Sequence, residues 1–354
     1  MKNYIKFLII FFLSVSQVFL LIAAINWWVD PYGIFHTEKH NPQKPIWMSK
    51  QLRLAKAYKL KALKPKGIVM GTSSSQLGID PDHPGWDENT QPRYNIGLPG
   101  ANPYETLRYF QHSQEISQPK QILIGLNYVV FNLFFPLSDD FNESHMVVSS
   151  EGTLKNHSHD NLSLTLLSLS ATKASQKKLF YRGNGTHFLN GRAIPQENAS
   201  ESRNSRLALM NAATKFVPML LMPPPGHRFC LYDETESNYN FLYLRKILKL
   251  AKENRSDVRL FIQPTHVYLL EVLRILGMEK GYEKWQKELI NVVEDINSKY
   301  SESRPFPLWN FGGYNSVTMT EVPPSEAANR SMLWYWDLGH YNKMLGDLIH
   351  DRIF

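Results

Sequence analysis

The clearest absence in this sequence is cysteine, of which the 354 residues contain one, Cys230. One thiol excludes an internal disulfide framework, so the folded chain must be held together by packing. The histidines show no spacing typical of a metal site, and a single thiol offers no thiolate cluster. We therefore expect neither a metal nor another cofactor.

A nucleic-acid signature is also missing. Basic residues outnumber acidic ones, 39 against 32, which gives a formal net charge of +7. No basic helix or aromatic ladder accompanies this excess, so we expect no nucleic-acid partner. Basic runs such as residues 61–66 are typical of solvated faces, although the same charge could favour anionic glycans or a membrane surface.

Charged residues are absent from residues 7–29, which are dominated by Phe, Leu, Ile and Val. An uncharged helix of this length could cross a hydrocarbon core of about 30 Å. Lys2 and Lys6 precede it and Asp30 follows, which by the positive-inside rule places the N-terminus in the cytoplasm. We predict an uncleaved membrane anchor over residues 1–29. A cleaved signal peptide is the alternative, although its apolar region would be shorter.

No second apolar stretch of spanning length follows residue 29. The sequence therefore predicts one exported domain over residues 30–354, long enough to bury a large core. The expected location is a bacterial cytoplasmic membrane, crossed once, with the domain in the periplasm or outside the cell.

Short apolar runs followed by loops have the form of buried parallel strands. They cover residues 67–70, 121–126 and 258–262, with a weaker example at 306–311. Helical patterns separate them, at residues 103–113, 240–251, 282–298 and 341–352. This alternation predicts an α/β fold with a mainly parallel sheet, in which ligands bind beyond the carboxyl ends of the strands.

Residues 138–235 interrupt the alternation. The segment is rich in Ser, Asn, His and Gly and contains only short apolar runs. We interpret it as an inserted cap or substrate-facing subdomain. A partly disordered loop region is the alternative that this composition leaves open.

Four short segments, far apart in the chain, carry the residue types that acyl transfer requires. They are Gly-Thr-Ser-Ser at 71–74, Asn-Ile-Gly-Leu-Pro-Gly at 95–100, Gly-Leu-Asn-Tyr at 125–128 and Asp-Leu-Gly-His at 337–340. The reaction needs a hydroxyl nucleophile, a base held by a carboxylate, and N–H donors aimed at the developing oxyanion. The first and third segments follow predicted strands, where a parallel sheet binds its ligands.

The candidate nucleophile is Ser73, which follows a strand and a glycine. Serine is common in such turns, and Ser74 and Ser75 stand beside it, so the assignment within the run stays open.

Each remaining segment also has an ordinary structural explanation. Gly100 could donate its N–H to an oxyanion or belong to a tight turn. Asn127 could donate its side-chain amide or cap a loop. Asp337 and His340 are three residues apart, so the carboxylate could fix the imidazole tautomer, or the aspartate could cap the final helix.

Together the four segments resemble the motif blocks of the SGNH (GDSL-like) hydrolases, named for their Ser, Gly, Asn and His. The membrane-anchored branch is most similar, which includes alginate O-acetylation proteins and the D-alanyl transfer protein of teichoic acid modification. Two flanking stretches add to the resemblance, Asp-Pro-Tyr at 30–32 and Trp-Asn-Phe-Gly-Gly-Tyr-Asn at 309–315. The resemblance covers both ends of residues 30–354 and skips most of 138–235.

This resemblance implies a flavodoxin-like three-layer α/β/α sandwich, the SGNH hydrolase fold, and a role for each matching residue. Ser73 would be the nucleophile, His340 the general base, and Asp337 the acid that orients it. Ser73, Gly100 and Asn127 would form the oxyanion hole.

The chain departs from the family pattern at three positions. Thr72 stands where hydrolases of the group often have Asp, and Ser74 where many anchored relatives have Arg. Anchored relatives often have Asp at the position of Asn127, so this chain is closer to the hydrolytic members there. Ser74 is a candidate substrate-binding residue. So is His266, which follows a predicted strand, although a loop histidine without such a role is more common.

The resemblance and the anchor lead us to expect a cell-envelope serine esterase or O-acyltransferase. Its substrate would be an acyl ester, we expect acetyl, of an exported polysaccharide, processed through an acyl-enzyme. A transferase would also need a membrane-bound acyl donor protein as partner. The alternative is a catalytically idle protein that binds polysaccharide or serves as a scaffold in an export or modification complex.

Overall fold

A computed structural model of the chain describes residues 2–33, 35, 45–46, 51–155, 166–181, 185–195, 205–224, 226–324, 327 and 330–354. Parts of the predicted insertion, residues 156–165, 182–184, 196–204 and 225, lie outside these described residues.

The described part of the chain contains α-helices and β-strands that alternate over most of its length. The helices are α1 (Lys2–Val29), α2 (Leu52–Leu63), α3 (Ser73–Gly78), α4 (Pro103–Ser117), α5 (Leu169–Phe180), α6 (Ser205–Leu221), α7 (Tyr239–Glu253), α8 (Val267–Ile275), α9 (Glu279–Lys299) and α10 (Lys343–Ile353). The strands are β1 (Pro45–Ile46), β2 (Gly67–Met70), β3 (Arg93–Asn95), β4 (Gln121–Leu126), β5 (His187–Phe188), β6 (Asp257–Ile262) and β7 (Leu308–Asn310).

Five strands form one parallel sheet in the order β3-β2-β4-β6-β7. Because β3 and β4 flank β2 on opposite sides, the chain changes direction across the sheet between them. Counted within this sheet the order is 2-1-3-4-5, in which ligands bind where the strand order reverses. That position is the crevice beyond the carboxyl ends of β2 and β4. The remaining strands, β1 and β5, pair antiparallel in a separate small sheet.

The sheet is covered on both faces, as the apolar strands require. Ile68 and Ile122 belong to a core cluster that also contains residues of α2, α4, α7 and α9. Their neighbours Val69 and Leu123 belong to a second cluster with residues of α6 and α10. Successive residues of one strand therefore pack on opposite sides of the sheet.

The α/β class and the parallel sheet that the sequence predicts are confirmed. The predicted strands correspond to β2, β4, β6 and β7, and the predicted helices to α4, α7, α9 and α10, with boundaries shifted by a few residues. Strand β3 and helices α2, α3 and α8 were not predicted. Within the described part of residues 138–235, α5 and α6 are regular helices.

Helix α1 is long and apolar enough to span a membrane. A window within Asn3–Val29 has a mean hydropathy of 2.7, and none of it is buried in the protein. Among the described residues it is the one helix with these properties, and a signal sequence would share them.

The last turns of α1 pack against α5. The Asn26 amide donates to the carbonyl oxygen of Leu166 (2.6 Å) and the hydroxyl of Thr172 (3.2 Å), and it accepts from the Ser175 hydroxyl (2.7 Å). Asn26 is fully buried. The apolar helix is therefore attached to the folded domain through the segment predicted as an insertion.

Helices α3 and α10 meet where each has a glycine. A Cβ on Gly346 would overlap the carbonyl oxygen of Gly78, and a Cβ on Gly78 would overlap the ring of Tyr341. The two backbones can approach this closely because both residues lack a side chain. Since Ser73 begins α3 and His340 lies just before α10, this contact holds two candidate site residues side by side.

Candidate active site

Ser73 lies at the carboxyl end of β2, on the first residue of α3. The chain turns from strand to helix through Thr72, whose carbonyl oxygen accepts from the Gln76 N–H (3.1 Å). The first N–H groups of a helix have no acceptor within it, so the backbone N–H of Ser73 is open to a ligand at this turn.

Asp337 and His340 belong to a tight loop closed by two backbone hydrogen bonds. The Trp336 N–H donates to the carbonyl oxygen of His340 (2.8 Å), and the Asn342 N–H to that of Trp334 (2.9 Å). The residue that caps α10 is Asn342. Capping by Asp337, one of the two alternatives from the sequence, is not observed. The Asp337 carboxylate instead accepts from the N–H groups of its own loop.

The structure brings Ser73, His340 and Asp337 into one hydrogen-bonded series. Nδ1 of His340 lies 2.8 Å and 2.9 Å from the two carboxylate oxygens of Asp337, and Nε2 lies 2.7 Å from Oγ of Ser73. A carboxylate can only accept, so Nδ1 carries the proton and Nε2 is left to accept from the Ser73 hydroxyl. This is the tautomer that a general base requires.

The two charged groups of this series shift each other's pKa. Burial lowers the pKa of His340, but the adjacent Asp337 carboxylate more than offsets this and the pKa lies above its ordinary value. Burial raises the pKa of Asp337, yet the charge and hydrogen bond of His340, together with the N–H groups of Gly339 and His340, bring it below the ordinary value. The imidazolium formed when His340 takes a proton is therefore stabilised.

Gly100 lines the same cleft as Ser73 and lies on the loop that follows β3. Its φ is +61°, which favours glycine. The carbonyl oxygen of Pro99, in the same peptide unit, accepts from Nη2 of Arg53 (2.9 Å). In a trans peptide the N–H points opposite to the carbonyl. The Gly100 N–H therefore points away from Arg53, and Gly100 lines the cleft that contains Ser73.

Asn127 immediately follows β4, on the other side of the crevice. Its Oδ1 accepts from the Val129 N–H (3.2 Å), so the side chain caps the loop, as the sequence allowed. The same bond orients the amide, because only oxygen can accept, and leaves Nδ2 as the donor. Asn127 lines the cleft with Ser73 and Gly100.

Ser74 has a structural contact that separates it from Ser73. Its hydroxyl donates to the carbonyl oxygen of Gly339 (2.7 Å), and the residue is buried although it lines the cleft. The bond connects the turn that contains Ser73 to the loop that contains His340. Of these two neighbouring serines, Ser73 contacts the imidazole.

His266 is not presented to the cleft. It is 1% exposed, its Nε2 donates to the carbonyl oxygen of Thr320 (2.9 Å), and its Nδ1 accepts from the Tyr268 N–H (3.3 Å). Both ring nitrogens are bonded to the backbone, and the side chain caps α8. This arrangement gives His266 a capping role in place of the expected substrate contact. Its neighbour Thr265 does line the cleft.

Arg53 and Lys56, both on α2, support the glycine loop and were not singled out in the sequence. Nζ of Lys56 donates to the carbonyl oxygens of Gly97 (2.6 Å), Asn95 (3.0 Å) and Gly191 (3.2 Å). Burial, followed by repulsion from Arg53, lowers the pKa of Lys56 well below its ordinary value. Basic residues in a helix are usually solvated, so the positions of Arg53 and Lys56 in the sequence gave no indication that they bind the carbonyls of this loop.

The cleft at this site has a volume of about 530 Å³. Its walls come from the turn at Ser73, the Gly100 loop, residues 127–139, the end of α6, and the His340 loop. The ring of Phe216 on α6 meets the His340 ring edge-on, with centroids 6.0 Å apart. A described part of residues 138–235 therefore covers the candidate active site.

In the described residues, no three His, Cys, Asp or Glu side chains form a group that could hold a metal ion. Among the acidic, basic and histidine side chains, those that line the cleft are His340, which is bonded to Asp337, and Asp139, which is exposed.

Comparison of the sequence with protein-family models finds no match, and comparison with curated proteins finds none either.

Proposed function

We propose that this chain is a serine esterase or O-acyltransferase of the SGNH type. The observation that supports it most is the hydrogen-bonded series from Asp337 through His340 to Ser73, at 2.8 Å and 2.7 Å, ending in a cleft. The strand order 2-1-3-4-5 is compatible with the flavodoxin-like sandwich of that superfamily.

In the first half-reaction Ser73 Oγ attacks the carbonyl carbon of an ester. Its proton passes to Nε2 of His340, and Asp337 stabilises the resulting imidazolium. The negative charge that develops on the carbonyl oxygen is stabilised by the N–H groups of Ser73 and Gly100 and by Nδ2 of Asn127. The carbon–oxygen bond to the alcohol then breaks, and His340 returns the proton to the departing alkoxide.

The second half-reaction reverses these steps with another hydroxyl. Water or an acceptor alcohol gives its proton to His340 and attacks the acyl-enzyme, which releases Ser73 and a carboxylic acid or a new ester. Both outcomes use the same residues, so the choice between hydrolysis and transfer depends on which hydroxyl enters the cleft.

The setting that we propose is the outer face of a bacterial cytoplasmic membrane, with α1 as a single-pass anchor. The acyl acceptor or donor there would be an exported polysaccharide, and a transferase would receive its acyl group from a membrane-bound partner. The support is the apolar helix α1 and its attachment to the folded domain through Asn26.

The test uses the full chain in detergent micelles, with p-nitrophenyl acetate and a fluorophosphonate probe. We expect release of p-nitrophenol and a covalent adduct that intact mass and peptide mapping place on Ser73. Ser73→Ala should lose both signals. Ser75→Ala is a matched control from the same turn and should still take the label.

Three other outcomes would separate the candidate functions. Hydrolysis that persists in Ser73→Ala would refute Ser73 as nucleophile. A folded wild-type protein that neither hydrolyses the ester nor takes the probe would favour the polysaccharide-binding or scaffold function instead. If the acyl-enzyme transfers its acyl group to an added oligosaccharide faster than it is hydrolysed by water, the activity is that of a transferase.

A further inference from the structure

We propose that the cleft beside Ser73 is a subsite for an apolar acyl chain longer than acetyl, so that the substrate is a medium- or long-chain acyl ester. This inference rests on the proposed esterase or acyltransferase function and names the acyl class that the site accepts. It differs from the sequence expectation, which favoured acetyl.

Polar side chains such as Asp139 and Thr265 line part of the cleft, but most of its wall is apolar. The apolar side chains come from three main segments. Their positions are Val129 and Val130 after β4, Phe135 and Leu137 in the following loop, and Val217 and Leu220 on α6. Apolar surface that a ligand can cover contributes about 25 cal/mol per Å² to binding. A wall of this kind favours a hydrocarbon chain over a sugar.

Three hydroxyl groups along the wall are already bonded to the protein. Ser74 donates to Gly339 (2.7 Å), and Ser138 donates to the Asp140 carboxylate (3.0 Å). The Thr72 hydroxyl accepts from the Gln263 amide (3.3 Å). A polysaccharide placed here would lose its hydrogen bonds to water without comparable partners in the wall, which is unfavourable.

The volume of the cleft exceeds what an acetyl group needs. A cleft of 530 Å³ lies within the range of about 300–1,000 Å³ that holds drug-sized ligands. The reacting carbonyl must lie between Ser73 Oγ and the donors at Gly100 and Asn127. The part of the substrate that is attached to this carbonyl therefore extends along the apolar walls.

The acyl side of the ester is the part that these walls fit. In the proposed reaction the alcohol side is polar, since it is a hydroxyl compound that leaves and is replaced by water or a glycan. The acyl group stays in the cleft through both half-reactions, because it is covalently attached to Ser73 between them. An apolar wall therefore suits the acyl group.

The test is a series of p-nitrophenyl esters, from acetate through butyrate and hexanoate to octanoate, with the full chain in one fixed detergent. The alcohol is constant, so only the acyl chain changes. We expect kcat/KM to rise by about fourfold per added methylene until the cleft is filled. Val217→Trp should shift the octanoate-to-acetate ratio at least tenfold towards acetate.

Met210→Trp is the matched control, because Met210 is on the same helix and 54% exposed, outside the cleft lining. Its octanoate-to-acetate ratio should equal that of the wild type. A wild-type kcat/KM that is highest for acetate and falls with chain length would overturn the inference and leave the esterase function standing. Failure of every ester, with no fluorophosphonate adduct on Ser73, would overturn both.

Discussion

The substitution Arg53→Lys tests whether α2 positions the oxyanion hole. The guanidinium of Arg53 uses three nitrogens for three acceptors: Glu105 (2.6 Å), Asp140 (2.9 Å) and the carbonyl oxygen of Pro99 (2.9 Å). A lysine keeps the positive charge but has one nitrogen, which cannot span these acceptors. The Pro99–Gly100 peptide would then lose the bond that keeps its N–H pointing away from Arg53.

The expected effect is smaller than the loss of a whole donor. Removing one oxyanion donor costs about 10²–10³ in kcat. Lys56 still holds the same loop through Gly97 (2.6 Å), so the Gly100 N–H should be misaligned, and not lost. We therefore expect Arg53→Lys to lower kcat by about 10-fold to 100-fold, which is about 1.4–2.7 kcal/mol. KM should change little, because the donor acts on charge present only in the transition state.

The assay is steady-state hydrolysis of a p-nitrophenyl ester, combined with thermal unfolding. Arg108→Lys is the matched control, because Arg108 is also fully buried and also bridges a carboxylate, of Glu143, and a carbonyl, of Val148. Its replacement should lower stability comparably and leave kcat as it was. An Arg53→Lys protein that is as stable as Arg108→Lys and retains the wild-type kcat would refute the reasoning.

Three further changes test other parts of the structure. Asp337→Asn should lower kcat by about 10⁴. Wild-type kcat/KM should decline as the pH falls through the raised pKa of His340, since the base must be neutral. In Asp337→Asn this decline should occur at a lower pH, because the carboxylate that raises the pKa of His340 is gone. Asn127→Asp keeps the acceptor for the Val129 N–H but removes the Nδ2 donor, so kcat should fall by about 10²–10³ with little change in Tm. Asn26→Leu leaves the Leu166 carbonyl, just before α5, and the Ser175 hydroxyl on α5 unpaired, at about 1–3 kcal/mol each, and limited proteolysis should then cut α5 faster.

The sequence predicted the strands that are buried on both faces. β2 is a continuous apolar run, β4 is one after Gln121, and β6 is apolar apart from Asp257 and Arg259; a short apolar run before a loop is typical of a parallel strand. Strand β3 escaped prediction because it has three residues, Arg93, Tyr94 and Asn95, at the edge of the sheet. A strand so short and polar gains its conformation from pairing with β2, which is a tertiary contact.

Some residues of the candidate site could be predicted from the sequence and others could not. Ser73, Asp337 and His340 could be singled out because their residue types and spacing match a known chemistry, and the structure brings them into contact. The cleft walls on α6 could not be assigned, because Ser73 and His340 lie more than a hundred residues away from them in sequence. His266 follows a strand at the active-site edge, but its ring turns inwards to cap α8, which strand position alone does not reveal.

The buried cations of α2 connect stability to the proposed chemistry. Lys56 is fully buried, Arg53 is 3% exposed, and apolar residues of similar volume are often as stable as buried charges or more so. Packing alone therefore gives no reason for two cations at this place. Both donate to backbone carbonyls of residues 95–99, and Arg53 also pairs with the carboxylates of Glu105 and Asp140. Because the Pro99 carbonyl points to Arg53, the N–H of Gly100 in the same trans peptide points away from Arg53. Helix α2 therefore supports the loop of a site whose motif residues all lie after it in the chain.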